Sequence, residues 1–195
     1  MKQDIILSGV GGQGILSIAT VIGWAALEEN LHLKQAEVHG MSQRGGDVQS
    51  NLRLSSEAIF SDLIPKGECD LILSLEPMEA LRYLPWLSRR GWIVTNTTPF
   101  VNIPNYPPIE EVMGALSAVP NVITLDCDAI ARETGSPRSA NMVLLGASAA
   151  VLDIISPEKL REGIAAIFSR KGEAIVAANI AAFNAGLEES KKFVK

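Results

Sequence analysis

Ile5-Ile6-Leu7-Ser8-Gly9-Val10-Gly11-Gly12-Gln13-Gly14-Ile15-Leu16 is the stretch that decides the fold class. Its first three residues form a short apolar run closed by Ser8 and Gly9, the mark of a strand buried on both faces. Gly9 to Gly14 satisfy the G-x-G-x-x-G spacing, and Ile15, Ile18, Ala19, Ile22 and Ala26 follow at helical intervals. Strand, glycine turn and helix in that order open a nucleotide-type α/β fold. Glycines permit close backbone approach, and free N–H groups at a helix N-terminus can hold an anion. Gly9, Gly11, Gly12, Gln13 and Gly14 therefore form a candidate nucleotide or anion loop. Tight strand-to-helix packing with nothing bound would ask for the same glycines, and both readings stand.

Beyond this unit, a second strand is predicted over residues 33–38, and Glu37 near its end could accept hydrogen bonds from a ribose. A glycine-rich loop follows over 40–46. Val48, Ser50, Leu52 and Leu54 alternate with polar residues, a half-buried strand pattern. A turn at 55–57 would lead into a return strand at Ala58-Ile59-Phe60, which makes a local antiparallel excursion. Next come a strand at 71–75, a helix at 76–87 interrupted by Pro85, and a strand at 92–95. Pro99, Pro104, Pro107 and Pro108 make residues 97–108 a long irregular loop. A helix at 109–118, a strand at 122–125 and a short helix at 126–133 complete the alternation. Three helices then follow, at 141–152, 158–168 and 173–191, with Ser156 and Pro157 supplying an N-cap oxygen and a first-turn proline.

Strands alternating with helices predict a Rossmann-like α/β fold, with a mostly parallel sheet and helices on both faces. The 195 residues suit one domain, 1–195, with a helical C-terminal part from about residue 141. A formal net charge of -5 argues against a general nucleic-acid binder. The only cysteines, Cys69 and Cys127, lie far apart, so they form no local ligand set for zinc or an iron–sulfur cluster and read as buried thiols. The N-terminus runs straight into a strand without signal-peptide form, and no apolar run is long enough to span a bilayer. A soluble, cytoplasmic protein is expected.

The second loop presents Arg44 between Gly40 and Gly45-Gly46, and a guanidinium there could bind a carboxylate or phosphate bidentately. Its partner could be a small anion, a carboxylate of another protein, or Asp47 in the same loop. His39 has the pKa range of a general acid or base but no nucleophile or acid nearby in sequence, which suits a hydrogen-bonded structural histidine. His32 reads as solvated in a turn. Ser136-Pro137-Arg138-Ser139 lead into the helix near Asn141, where Arg138 and the helix start could hold a phosphate or a partner, or simply cap the helix. Glu76, Glu79 and Arg82 stand at helical spacing and read as surface pairs. Trp86, Trp92 and Phe100 read as core or interface anchors.

Two segments carry a resemblance beyond the generic fold. The first is Gly9-Val10-Gly11-Gly12-Gln13-Gly14-Ile15-Leu16; the second is Glu37-Val38-His39-Gly40-Met41-Ser42-Gln43-Arg44-Gly45-Gly46, followed by residues 48–53. Together they resemble the gamma-type subunits and domains of the 2-oxoacid:ferredoxin oxidoreductases. The second segment is similar above all to the beta subunit of the indolepyruvate branch. Residues 76–84 and 136–142 add to the likeness, which runs to about residue 150. It implies a CoA-dependent oxidative decarboxylation of an aryl 2-oxo acid to acyl-CoA and carbon dioxide, with two ferredoxins reduced.

Thiamine diphosphate and iron–sulfur clusters carry that chemistry in the family. This sequence has neither a Gly-Asp-Gly motif nor the cysteines for a cluster, so the resemblance places those cofactors on a large alpha subunit. The present chain would then be inert alone, with ferredoxin an indirect partner and a homodimer possible when isolated. His39, Gln43, Arg44, Gly45, Gly46, Arg138 and Asn141 are the candidate substrate or interface residues, coenzyme A a candidate contact, and no catalytic residue or metal ligand is expected. Two other readings are an independent NAD- or flavin-binding oxidoreductase and a purely structural interaction subunit. The first lacks room for a substrate domain and any visible Tyr-x-x-x-Lys pair.

Overall fold

The computed structural model describes residues 1–39 and 45–194, His39 through its backbone alone. The predicted strand, turn and helix at the N-terminus are present as β1 (Lys2–Val10) and α1 (Ile15–Glu28). Ile5 and Leu7 of β1 join one core cluster and Ile6 the other, so the strand is buried on both faces. β2 (His32–His39) and β3 (Asp47–Ser55) form an antiparallel hairpin, and β3 also runs antiparallel to β1. β4 (Cys69–Ser74), β5 (Leu87–Asn96) and β6 (Val122–Leu125) continue from β1 in parallel. Among the described residues the sheet thus has six strands in the order β2-β3-β1-β4-β5-β6.

The antiparallel excursion exists, but its partner is β2 and not a return strand at residues 58–60. Those residues belong to an irregular crossing over 56–68 whose backbone groups are met by β3 side chains. Arg53 donates to the carbonyls of Ser61 and Leu63, at 3.1 and 3.0 Å, and Asn51 Oδ1 accepts from the Ile64 N–H at 3.3 Å. A second ladder is therefore not needed to satisfy this backbone. His32 opens β2 instead of lying in a turn.

Helices cover both faces. On one lie α1, α4 (Cys127–Glu133), α5 (Ala140–Ser148), α6 (Pro157–Phe168) and α7 (Glu173–Ser190); on the other lie α2 (Pro77–Arg82) and α3 (Ile109–Ser117). The predicted helix at 76–87 is shorter because Pro85 falls in a 3-10 turn, Leu84–Trp86, after which β5 begins. The helix predicted at 141–152 ends at Ser148. Met142, Val143, Leu144 and Leu145 are all buried, as expected of a helix apolar on every side. α5 and α7 touch backbone to backbone: a Cβ at Gly146 would lie 1.9 Å from the Phe183 carbonyl oxygen, and one at Gly186 2.0 Å from that of Val143. Ser156 caps α6 by accepting from the Lys159 N–H, and Pro157 begins it, as its sequence predicts.

Candidate functional site

The C-terminal edge of the parallel strands gathers four segments: the glycine turn, the root of the second loop, the start of α2 and loop 97–108. The turn is closed from within. Gln13 Oε1 accepts from the Val10 N–H at 2.7 Å, while Gln13 Nε2 donates to the Leu75 carbonyl at 3.1 Å. Gln13 is thus a strut between the turn and the end of β4. Gly14 has φ +87 and its carbonyl accepts from Asn141 Nδ2 at 3.2 Å, so the N-cap of α1 is tied to α5. A side chain at Gly14 would both strain this backbone and strike Asn141.

The two segments that carry the resemblance meet here. The Gly11 N–H donates to the Gly46 carbonyl at 2.8 Å, and the Gly45 N–H to the Gly11 carbonyl at 3.4 Å. From loop 97–108, Asn102 Nδ2 donates to the Gly45 carbonyl at 2.7 Å. Val10 and Gly11, whose N–H groups would face an anion in an open turn, spend them on these internal acceptors. The sheet order also separates Glu37 from the turn: β3 lies between β2 and β1, which puts Glu37 roughly 10 Å from β1. A dinucleotide fold needs that acidic residue on the strand beside β1. The ribose role expected for Glu37 is therefore not supplied by this geometry.

Buried carboxylates hold the edge together, and two of them, Glu76 and Glu79, lie inside where their helical spacing predicts surface positions. Glu76 is 0% exposed; it caps α2 by accepting from the Glu79 N–H at 2.8 Å, and it accepts from the Phe100 N–H at 3.3 Å and from the Tyr106 hydroxyl. Three donors on one carboxylate compensate its desolvation. Glu79, also buried, accepts from Arg82 Nε and Nη2, at 2.7 and 3.1 Å. Burial, and then the neighbouring Asp47 carboxylate, hold the Glu79 carboxyl above the usual carboxylate range against the pull of Arg82. Asp47, just after the second loop, accepts the Tyr83 hydroxyl at 3.2–3.3 Å. Burial and Asp47 push the Tyr83 hydroxyl up in turn. One signal was legible beforehand: an acidic residue before Pro77 with a second three positions later is a capping pattern.

Of the other candidate residues, His39 ends β2 opposite Val48, Arg138 is exposed before α5, and Gln43 and Arg44 lie outside the described residues. Trp86 and Trp92 pack half-buried against opposite core clusters, whereas Phe100 is exposed. Cys69 and Cys127 are fully buried in those two clusters, on opposite faces of the sheet. Burial pushes the Cys69 thiol up to about 12 and raises that of Cys127 as well. These are inert core thiols that cannot share a cluster. Among the described residues no group of three His, Cys, Asp or Glu could hold a metal ion, and no helix is long and apolar enough to cross a membrane.

Residues 4–189 match the family model described as pyruvate ferredoxin/flavodoxin oxidoreductase. The indolepyruvate oxidoreductase subunit IorB of Pyrococcus horikoshii is 35% identical, over 100% of this chain and 99% of that protein. The ketoisovalerate oxidoreductase subunit VorA of Methanothermobacter thermautotrophicus is 27% identical over 97% of this chain, but the match takes only 36% of its own length. Among solved structures, the keto/oxoacid ferredoxin oxidoreductase gamma subunit of Geobacter sulfurreducens superposes with a TM-score of 0.69 at 25% identity, covering 97% of this chain and 99% of that one. The edge joining the glycine turn to the second loop is thus built from the two segments whose wording pointed to the gamma-type subunits, and the chain belongs to the pyruvate ferredoxin/flavodoxin oxidoreductase family.

Proposed function

We propose that this chain is the small subunit of an indolepyruvate-type 2-oxoacid:ferredoxin oxidoreductase, working in the cytoplasm and inactive without a large thiamine-diphosphate and iron–sulfur subunit. The end-to-end 35% identity with an indolepyruvate oxidoreductase subunit carries this reading. The reaction is oxidative decarboxylation of an aryl 2-oxo acid with coenzyme A, giving acyl-CoA and carbon dioxide while two ferredoxins are reduced. Two buried thiols on opposite faces do not fit a cluster, so the redox groups belong to the partner.

Residues 1–195 act as one gamma-type unit whose task is positioning. The root of the second loop is clamped by Gly11 and Asn102. Arg44, one residue before that root in sequence, is the candidate guanidinium for an anion, whether a 2-oxo acid carboxylate, a coenzyme A phosphate or a partner carboxylate. The glycine turn serves as a joint with Gly45 and Gly46, because Val10 and Gly11 already use their N–H groups internally.

The decisive experiment is anaerobic co-expression with the large subunit, followed by CoA-dependent dye or ferredoxin reduction with indolepyruvate, pyruvate and 2-oxoglutarate. Activity with the aryl substrate only when both chains are present is the expected result; full activity from the large subunit alone would refute the reading. Arg44→Ala in an assembled complex should lower kcat/KM by at least about tenfold if the guanidinium meets substrate or coenzyme, and leave it unchanged if the loop is only structural. Saturable NAD(H) or flavin binding by the isolated chain would favour the dinucleotide-binding alternative.

A further inference from the structure

We propose that the cleft at the end of the sheet opposite the glycine turn binds a free aromatic α-amino acid, its ring against Trp92, its carboxylate on Arg90 and its ammonium on Asp153 and Asp70. The cleft has a volume of about 570 Å³, within the range of small-molecule sites. It is lined by Lys2 and Gln3 at the start of β1, Asp70 at the start of β4, Arg90 and Trp92 of β5, and the connection from α5 to α6. The glycine turn lies at the far end of β1, so the cleft shares no residue with the edge described above.

The apolar wall belongs to the helix-rich core. Trp92, Ile154 and Val194 are partly buried against that cluster, and Val151 lies within it. One side chain fixes this wall. Gln3 is buried; its Nε2 donates to the Val151 carbonyl at 3.1 Å, and its Oε1 accepts from the Ile154 N–H at 3.4 Å. Both ends of the amide thus pin the α5–α6 connection against β1. The site is built before a ligand arrives, and little ordering opposes binding.

The charges set the ligand. Arg90 and Asp153 line the same cleft with opposite sign, yet among the described residues neither side chain has a hydrogen-bond or ion-pair partner. A group that joins them has to carry both signs. Lys2 is already spent on Asp4, at 2.8 Å. Asp70 accepts the Asp4 N–H at 2.8 Å, but burial still holds its carboxyl above the usual carboxylate range, and an ammonium beside it supplies the compensation it lacks. A guanidinium takes a carboxylate bidentately, and an indole packs against a second ring. A free aromatic α-amino acid carries all three groups. A residue within a peptide has lost both charges, and a simple carboxylate or amine meets one side only.

The inference stands apart from the subunit reading, and its test needs only the purified full chain. Calorimetric titration with L-phenylalanine should give saturable binding with a Kd of about 1 mM or tighter. L-Alanine, phenylalaninamide and 3-phenylpropionate lack the ring, the carboxylate and the ammonium in turn, and each should bind at least about tenfold more weakly. Arg90→Gln and Asp153→Asn should each weaken L-phenylalanine by about fivefold or more, while Arg170→Gln, an exposed cation elsewhere, should change it less than about twofold. Arg90 and Asp153 are exposed, so these variants fold, and their melting temperatures check it. No saturable binding of L-phenylalanine up to about 10 mM would overturn the proposal. It also falls if phenylalaninamide or 3-phenylpropionate binds as tightly as the amino acid, or if Arg90→Gln has no more effect than Arg170→Gln. None of these outcomes bears on the subunit reading, which the assay of the assembled complex decides.

Discussion

Where α5 crosses α7, the carbonyl of one helix fills the space that any side chain on the other would need; where loop 97–108 crosses the α2 face, three donors converge on the Glu76 carboxylate. The first face of the sheet is apolar and close-packed, and its helices gain stability from contact that has no preferred direction. The second has two long crossings: Arg53, paired with the buried Asp4, holds residues 56–68, and the buried Glu76 carboxylate holds loop 97–108. Directional hydrogen bonds fix particular atoms and not merely surfaces. The face that holds the long crossings in place is accordingly the polar one, and the face that supplies stability can be ordinary core.

The largest test of this contrast is Gly186→Ala. A Cβ there meets the Val143 carbonyl, so the helices must part, and a loss of about 4 kcal/mol is expected in urea unfolding. A loss under about 1 kcal/mol would mean the close-packed face yields readily and would erase the distinction. On the other face, Arg53→Met strands Asp4, a fully buried carboxylate that Arg53 grips at 2.8 and 3.0 Å. Because Lys2 remains 2.8 Å away, the expected cost is about 3 kcal/mol, at the low end for breaking a buried pair. The Ser61 and Leu63 carbonyls lose their donors as well, so hydrogen exchange should quicken across residues 56–68.

Tyr106→Phe removes one of the Glu76 donors and should cost about 2 kcal/mol. Its sharper readout is faster exchange of the Phe100 amide, with α5 and α7 unaffected; uniform loosening of the whole chain would count against a local latch.

The smallest effect is in pH. Glu79 and Asp70 both hold their carboxyls above the ordinary range, in each case mainly through burial. The native state then binds these protons more readily than the unfolded chain. Their contribution to stability is full below the unfolded carboxylate value and is lost as pH rises through the raised native values. Unfolding measured from about pH 4 to 7 should show this decline, and Glu79→Gln should flatten part of it; an unchanged slope would remove Glu79 as a source.

What is legible in the sequence is where the physics is local. A buried strand, a glycine turn and a helix are consecutive, so Ile5 to Ala26 announce themselves; Ser156-Pro157 marks a helix start within two residues. Glu76, Glu79 and Arg82 misled for the same reason: their helical spacing is local information, while their burial depends on Tyr106 and loop 97–108 folding back over them. Likewise Ala58-Ile59-Phe60 has the composition of a strand, but Arg53 and Asn51 had already met the needs of that crossing.

By itself, the sequence determined the α/β class, the paired motif segments, and the lack of thiols for a cluster, all properties of neighbouring residues or of composition. Tertiary structure alone decided that β3 lies between β1 and β2, that Gly11 clasps Gly45 and Gly46, and that α5 and α7 meet at two glycines. Each of these joins residues far apart along the chain, and such contacts form only when the folded whole compensates the entropy of bringing them together.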